Sequence, residues 1–355
     1  MQKLIDNVVP VNGEASPFFN CLSALIFTVQ RETYEPRNNS KTAAKAAADK
    51  REKFNTSVLT ASGLALSYIF NTNYDDSFDK TQYYKAFGND DYIKYALNFA
   101  RCNYRIIYTD DTEILTEIEK SLNKNIPILA EGLSDSAWCL ITGYDDNKLY
   151  GYTAGCPYCQ DCVNCMERKV DGHIENGMFY MGKQMPKRVI IIDDFNAESY
   201  DDTVFIQYWI SVMEHKPKSG FLFGNDAYDA VITLLENVDS FFEMSDDRLN
   251  NLYRQIYMNS FLPEYRFCSR WIEYVIKLPE KITKDAYPGL YNSFKKHDVG
   301  YKFWAALSEK GQWKVDTQKY AGILKEQSNR NNAIKELKQL KKMDVFTLQA
   351  LKSIL

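Results

Sequence analysis

The pattern of hydrophobic and polar positions changes in character along the chain. In the first half, short runs rich in Ile, Val, Leu and Tyr are bounded by Gly, Asn, Asp or Pro, which is typical of β-strands. These runs read NYRIIYTD, IPILAEGL, AWCLITGYDD, KLYGYTAG and KRVIIIDDF. Two of them flank Asp145-Asp146-Asn147, a sequence that favours a hairpin turn.

Helices are predicted ahead of these strands. Residues 16–30 read as a turn that leads into an apolar helix, with Ser16 or Asn20 as its N-cap. Residues 39–54 are rich in Ala and Lys and have high helix propensity, and residues 57–70 continue as a buried helix or a helix pair. Helices followed by an antiparallel sheet predict the α+β class.

The strand signals stop after about residue 197, and apolar residues recur at helical spacing instead. Such spacing occurs at 204/208/212, 228/231/235, 271/275/278, 301/304/307, 334/337/340 and 348/351/355. We therefore predict two domains, an α+β domain of residues 1–195 and an all-α domain of residues 196–355. The Lys-rich stretch 335–342 is interpreted as a solvated helix surface.

Composition and charge exclude several classes of function. The chain has 45% hydrophobic residues and a formal net charge of −4, which suits a globular protein and gives no basic footprint for nucleic acid. We find no apolar run of about 18 residues and no signal-peptide pattern at the start, so we expect a cytoplasmic protein without a membrane partner. In that compartment the eight cysteines are expected to be thiols or metal ligands.

Cys21 is the candidate nucleophile. It lies where the predicted turn enters the first apolar helix, and the positive end of a helix dipole favours a thiolate. Such a sulfur could be both exposed and activated for nucleophilic catalysis. The alternative is a small apolar residue buried in the helix.

A resemblance to a known family rests on two stretches. PFFNCLSAL near the start and AWCLITGYDDNKLYGY about 115 residues later resemble a papain-like group, which contains bacteriocin-leader-processing cysteine peptidases and butirosin-biosynthesis acyltransferases. In that group a cysteine enters the first helix, and a later strand carries the histidine near its start and ends in Gly-Tyr-Asp. In the helical half, SGFLFGNDAYDAVITLLE and CSRWIEYVIKLPE are similar to motifs of the domain that accompanies many such proteins. The resemblance implies a papain-like fold followed by an all-α domain.

The histidine of the group is missing from this chain. Its position falls on or next to Ala137, and the position of the acid near Tyr152 and Thr153 carries no carboxylate. His173 is the remaining candidate for a base, but it would require a rearranged site. Two functions therefore stay open. One is a cysteine-dependent acyl or amide transferase, or a peptidase-like protein, of bacterial specialised metabolism or peptide processing. It would act through a Cys21 thioester on a small amide or acyl substrate, free or bound to a carrier protein. The other is a non-catalytic binding or scaffolding relative.

Four of the cysteines lie within ten residues in GCPYCQDCVNCMERK, at Cys156, Cys159, Cys162 and Cys165. Thiolates at such spacing predict a metal site, with zinc ahead of an iron–sulfur cluster and His173 able to replace one thiolate. The site would be a structural staple of an inserted loop. The alternatives are local disulfides or incidental thiols in an insertion.

Overall fold

The chain contains both helices and an antiparallel sheet, which confirms the α+β class. The computed structural model describes residues 3–5, 8, 17–34, 36, 40–66, 68–73, 86–109, 113–133, 138–145, 148–153, 173–174, 178–182, 185–216, 220–253, 255–256, 322–353 and 355. The predicted helices around residues 271–278 and 301–307 lie outside these residues. Of the described helices, none is long and apolar enough to cross a membrane.

Two compact units make up the described chain. One comprises Met1–Val58 and Ala96–Ser199, and the other comprises Leu59–Tyr95 and Tyr200–Leu355. The predicted limit between residues 195 and 196 lies close to one of these boundaries. Residues 59–95, however, belong to the second unit although they precede most of the sheet in the sequence.

In its described residues, the first unit combines helices with an eight-stranded antiparallel sheet. Its helices are α1 (Pro17–Val29), α2 (Arg31–Tyr34), most of α3 (Lys41–Ala61), the end of α4 (Asp91–Phe99) and α5 (Ile114–Asn123). Its strands are β1 (Lys3–Leu4), β3 (Asn103–Tyr108), β4 (Ile128–Glu131), β5 (Trp138–Asp145), β6 (Lys148–Thr153), β7 (His173–Ile174), β8 (Met178–Gly182) and β9 (Arg188–Asp194). Their order is β3-β9-β4-β5-β6-β8-β7, with β1 added to β5.

The five predicted strands are confirmed. The hairpin between β5 and β6 is confirmed as well, since these strands pair antiparallel from Cys139↔Thr153 to Asp145↔Lys148. In β5, the six successive residues from Trp138 to Gly143 are all buried. Because successive side chains point to opposite faces, both faces of this strand are covered. Helix α1 packs against β4, β5 and β6 and provides part of that cover.

The short strand β1 reaches β5 through a close approach at Gly143. Lys3 pairs with Tyr144 and Leu4 with Gly143, and the Ile5 amide donates to the Thr142 carbonyl at 2.8 Å. A Cβ atom on Gly143 would lie 2.8 Å from the Lys3 carbonyl oxygen and 3.0 Å from Leu4 Cδ1. The glycine of the Gly-Tyr-Asp motif is therefore needed here for backbone contact.

The predicted helix over residues 57–70 is wrong in its second half. Helix α3 is continuous from Lys41 to Ala61, and a turn at Gly63 then leads to β2 (Ile69–Asn71). Gly63 has φ +79°, which favours glycine, and a Cβ there would lie 2.9 Å from Val212 Cγ2. Strand β2 pairs with β10 (Phe221–Phe223), a partner that local sequence patterns do not reveal.

The predicted all-α domain of residues 196–355 is wrong at β10, which is a strand, whereas the other described elements in this range are helices. Its described helices include α6 (Asp202–Met213), α7 (Gly224–Glu236), α8 (Val238–Glu243) and α9 (Gln327–Lys352). Helix α9 packs on α6 and α7. In the Lys-rich stretch, Lys338 binds Glu236 and Lys341 binds Asp229, both on α7, at 3.1 and 2.6 Å. This stretch is therefore partly exposed and partly paired with carboxylates.

Buried polar groups hold α9 to the core of the second unit. Tyr228 on α7 donates a 3.0 Å hydrogen bond to Asp344 of α9, and both side chains are buried. The ring of Tyr228 stacks on that of Tyr68 with centroids 4.2 Å apart. A hydrogen bond to a buried carboxylate is stronger than a neutral one, so this pair specifies the position of α9.

We predict that Gly143→Ala destabilises the protein by about 1–3 kcal/mol, because the added methyl group forces β1 away from β5. Urea unfolding of the two proteins measures the difference. Gly322→Ala is the matched control, since nothing lies within 4 Å of a Cβ at Gly322. Equal losses in the two variants would contradict the close approach at Gly143.

A second prediction concerns an ion-pair network on β3, β9 and α5. Hydrogen bonds from Lys120 at 2.6 Å and Arg105 at 2.9 Å lower the pKa of Glu117. A lowered carboxyl pKa contributes stability above the pKa of the unfolded chain, about 4.3, and this contribution is lost as the pH falls through the folded value. Arg105 also forms an ion pair with Asp193 at 3.0 Å. Because the Arg105 side chain is half-exposed, the contribution of these ion pairs to the free energy of unfolding is small.

The stability difference between the wild type and Glu117→Gln is therefore expected to be constant above about pH 5 and to shrink below about pH 4.3. Urea unfolding across this pH range measures it. A stability difference that grows toward acid pH would contradict the lowered pKa of Glu117.

Candidate functional site

Helix α1 carries Cys21 and is buried almost throughout. Twelve of its thirteen residues are buried, which agrees with its apolar sequence and its position against the sheet. The helix begins at Pro17, and proline is favourable at a first helical position because its missing N–H has no intrahelical partner to lose. Cys21 is the fifth residue of the helix.

The position of Cys21 differs from that of a residue at the start of a helix. The dipole acts mainly within the first turn, and Cys21 lies in the second. Its side chain is 3% exposed. The structure therefore places Cys21 in the core, as a small apolar residue buried in the helix. A nucleophilic role for Cys21 stays a prediction.

Aromatic side chains surround the beginning of β5. Trp138 is fully buried, and the ring of Phe18 on α1 meets it edge-on with centroids 5.0 Å apart. Phe19 contacts Phe18 in the same manner at 5.2 Å. Ala137, which stands near the histidine position of the resembling group, lies outside the described residues. The residue directly after it thus contributes to the core beneath α1.

A charged pair adjoins this aromatic group. Arg188 of β9 and Trp138 of β5 both pair with Glu131 of the intervening strand β4. Directly paired residues lie on the same face of a sheet. The Arg188 guanidinium lies 5.3 Å from the Trp138 ring centroid, and its Nε is 2.5 Å from Glu131 Oε2. Tyr108, which is half-exposed, pairs with Arg188 and extends the row on β3.

This row of Tyr108, Arg188, Glu131 and Trp138 was not identified from the sequence. Each residue has an ordinary character in its own strand, and only the strand register brings the four together. A guanidinium remains protonated at any physiological pH and cannot act as a general base. Arg188 supplies charge, Tyr108 and Trp138 supply aromatic rings, and the carboxylate of the row, that of Glu131, is bound to Arg188.

Strand order separates His173 from Cys21. His173 begins β7, and β6 and β8 lie between β7 and β5. Three strand spacings of about 4.8 Å amount to about 14 Å between the backbones of β7 and β5. Helix α1 packs on β4, β5 and β6. The sheet therefore separates the backbone of His173 from β5, on which α1 packs, and the role of His173 as a base stays a prediction without geometric support.

The other two histidines of the chain are His215 and His297. His215 belongs to the second unit, where its ring packs edge-on against Phe223 with centroids 4.4 Å apart. In this contact His215 serves as a packing residue. His297 lies outside the described residues.

Two further thiols of the first unit are buried. The Cys139 thiol on β5 donates to the Ala130 carbonyl, and burial raises its pKa to about 12. Burial, together with the charge of Asp194, raises the pKa of Cys102 to about 12. Both side chains therefore stay protonated at neutral pH, and protonated thiols are neither good nucleophiles nor good metal ligands.

The prediction that this is a metal-binding protein with zinc needs correction. Among the described residues, no group of three or more His, Cys, Asp or Glu side chains is placed to hold a metal ion. The described cysteines are Cys21 on α1, Cys102 just before β3 and Cys139 on β5, and all three are buried as thiols. The predicted ligands Cys156, Cys159, Cys162 and Cys165 lie outside the described residues, so the cluster has no structural support.

Comparisons with known proteins do not assign a family. No protein-family model matches the sequence. A search of curated proteins finds no match.

We predict that Cys102 and Cys139 react with iodoacetamide at pH 8 at least about 100-fold more slowly in the folded protein than in urea. A thiol with a pKa of about 12 is ionised in roughly one molecule in ten thousand at this pH, and the buried sulfur is also shielded. Mass spectrometry of the digested protein resolves each cysteine. Alkylation rates in the folded protein that are close to the rates in urea would contradict the burial of these two thiols.

Proposed function

We propose that this chain is a non-catalytic relative of papain-like proteins, with a binding or scaffolding role in bacterial peptide processing or specialised metabolism. The observation that carries the proposal is the burial of Cys21 in the second turn of α1. A nucleophile must come within bonding distance of a substrate carbonyl, and a side chain that is 3% exposed in a well-packed helix does not offer that access.

The order of elements supports the papain-like part of the proposal. A cysteine-bearing helix precedes an antiparallel sheet and packs against the strand that ends in Gly143-Tyr144-Asp145. The resembling group has the same order. Fold similarity alone does not determine function, however, because function depends on the residues of the site.

Binding without turnover also agrees with the surroundings of β5. The row beside the start of β5 offers a half-exposed tyrosine, an arginine and a carboxylate, whereas Trp138 is fully buried. These groups can form hydrogen bonds and stacking contacts with a ligand. We expect this binding role to be cytoplasmic, and the expectation rests on the sequence alone.

The second candidate is a cysteine-dependent acyl or amide transferase, or a peptidase-like enzyme. The observation that favours it is that Cys21 lies on the helix that covers β5, as in the resembling group. Its chemistry would be attack of the Cys21 sulfur on an acyl carbonyl, release of the leaving group and transfer of the acyl group from the resulting thioester. This requires a movement that exposes Cys21.

The two candidates differ in the reactivity of Cys21. We expect no covalent adduct on the native protein after incubation with an N-acetylcysteamine acyl thioester, a simple acyl donor. Intact-protein mass spectrometry detects the acyl group, and Cys21→Ala is the control that removes the attachment site. An adduct that forms on the wild type and is absent from Cys21→Ala would overturn the binding proposal in favour of the transferase.

Replacing Cys21 should also have a structural consequence. For a core thiol we expect Cys21→Ala to lower the free energy of unfolding by about 1 kcal/mol, the centre of the range for single substitutions. Urea unfolding measures this loss. An unchanged or increased stability would indicate that Cys21 does not contribute to the core.

A further inference from the structure

One edge of β5 is covered by two different parts of the chain. Strand β4 pairs with β5 from Trp138 to Ile141 and extends no further, because the chain before Ile128 turns away into α5. The continuation of that edge, from Thr142 to Tyr144, is covered by the N-terminal strand β1. Two segments that are far apart in the sequence thus share one edge of the strand.

The contacts of β1 are those of an added strand. Lys3 and Leu4 form the two paired positions, and the Ile5 amide continues the ladder to the Thr142 carbonyl at 2.8 Å. Side chains supply selectivity. Lys3 Nζ donates to Asn125 Oδ1 at 2.7 Å, and Ile5 is buried.

The absence of a side chain on Gly143 makes this edge accessible. Because a Cβ there would lie 2.8 Å from the Lys3 carbonyl oxygen, only glycine lets a second backbone approach so closely. A strand edge beside such a glycine is suited to pairing with an extended peptide, for which main-chain hydrogen bonds give affinity and alternate side chains give selectivity.

We propose that the β5 edge at Thr142–Tyr144 is a peptide-binding site that the chain's own N-terminal segment occupies in cis. Its external ligand is an extended peptide with a basic residue at the place of Lys3 and a large aliphatic residue at the place of Ile5. The peptide displaces β1 and takes over its pairing with β5. The N-terminal segment therefore acts as an internal competitor.

Strand β1 is suited to exchange by its size. It has two residues, both only half-buried, whereas the neighbouring strand β4 has four residues, of which three are buried. Short elements with few buried contacts open more readily than the core to which they attach. The internal segment still has an advantage over a free peptide, because covalent linkage gives it an effective concentration in the millimolar range.

This inference goes beyond the proposed function and does not depend on it. An acyl adduct on Cys21 would overturn the binding proposal for the papain-like site and leave the strand exchange intact. Failure of peptide exchange at β5 would leave the interpretation of Cys21 unchanged.

The test uses the full chain and a fluorescein-labelled peptide with the sequence of residues 1–10, MQKLIDNVVP. Ile5→Pro removes the amide that donates to Thr142 and so disables the internal strand. We expect fluorescence anisotropy to show at least about tenfold tighter peptide binding by Ile5→Pro than by the wild type. The matched variant Ile5→Ala keeps the amide, and its affinity should lie between the two.

Two controls locate the binding at β5. Adding Gly143→Ala to the Ile5→Pro protein should reduce the affinity at least about tenfold, since the new methyl group occupies the space of the incoming backbone. A labelled peptide with proline at the fifth position should bind at least tenfold more weakly than the original. Equal affinity of Ile5→Pro and wild type, or binding that Gly143→Ala leaves unchanged, would overturn the proposal. So would anisotropy changes that accompany only self-association of the protein in sedimentation velocity.

A measurement on the wild type keeps the proposal testable if Ile5→Pro does not fold. Hydrogen–deuterium exchange of the N-terminal segment that contains Ile5 should become faster when excess unlabelled peptide is added, because the peptide traps the state in which β1 is released. Exchange in β5 should stay slow. Unchanged exchange of the N-terminal segment at the highest peptide concentration would overturn the proposal.

Discussion

The burial of β5 on both faces is the constraint on which the first unit depends. Its residues from Trp138 to Gly143 are buried, so its side chains need apolar partners above and below the sheet. Its backbone groups also need partners along both edges, because an unpaired N–H or carbonyl is costly away from water. Helix α1 meets the first need in part, and β4, β6 and β1 meet the second.

The packing of α1 on β5 has a consequence for chemistry. The helix stabilises the unit by burying nearly its whole surface, and the same burial withdraws Cys21 from solvent. A catalytic cysteine requires the opposite arrangement, a sulfur at the edge of the helix and next to a base. Stability and access to Cys21 therefore oppose each other in this unit, and the structure favours stability.

Register across the sheet creates surface features that no single segment contains. The row of Tyr108, Arg188, Glu131 and Trp138 uses residues from four strands, and the approach of β1 to β5 joins residues nearly 140 positions apart. In both cases the feature forms where strands that are distant in the sequence become neighbours in the sheet. The Gly-Tyr-Asp motif illustrates the point, since its glycine serves the contact with Lys3 and Leu4.

Local sequence patterns were sufficient to predict much of the secondary structure. Strands β3, β4, β5, β6 and β9 follow from runs of β-branched and aromatic residues between turn formers, and α1, α6, α7 and α9 follow from their apolar spacing. The division of α3 from β2 was not predictable in this way. Residues 57–70 are mostly apolar, and periodicity alone cannot separate a buried helix from a short buried strand.

The sequence by itself determined the α+β class and the main strands and helices, and it indicated Cys21 as the candidate nucleophile. Only the tertiary structure decided that Cys21 lies in the core, that β7 and therefore the backbone of His173 is separated from β5 by two strands, and that β2 pairs with β10. The physical reason is the range of the interactions. Helix and strand propensities act between neighbours along the chain, whereas exposure, strand order and register depend on contacts between residues that the sequence separates by tens of positions.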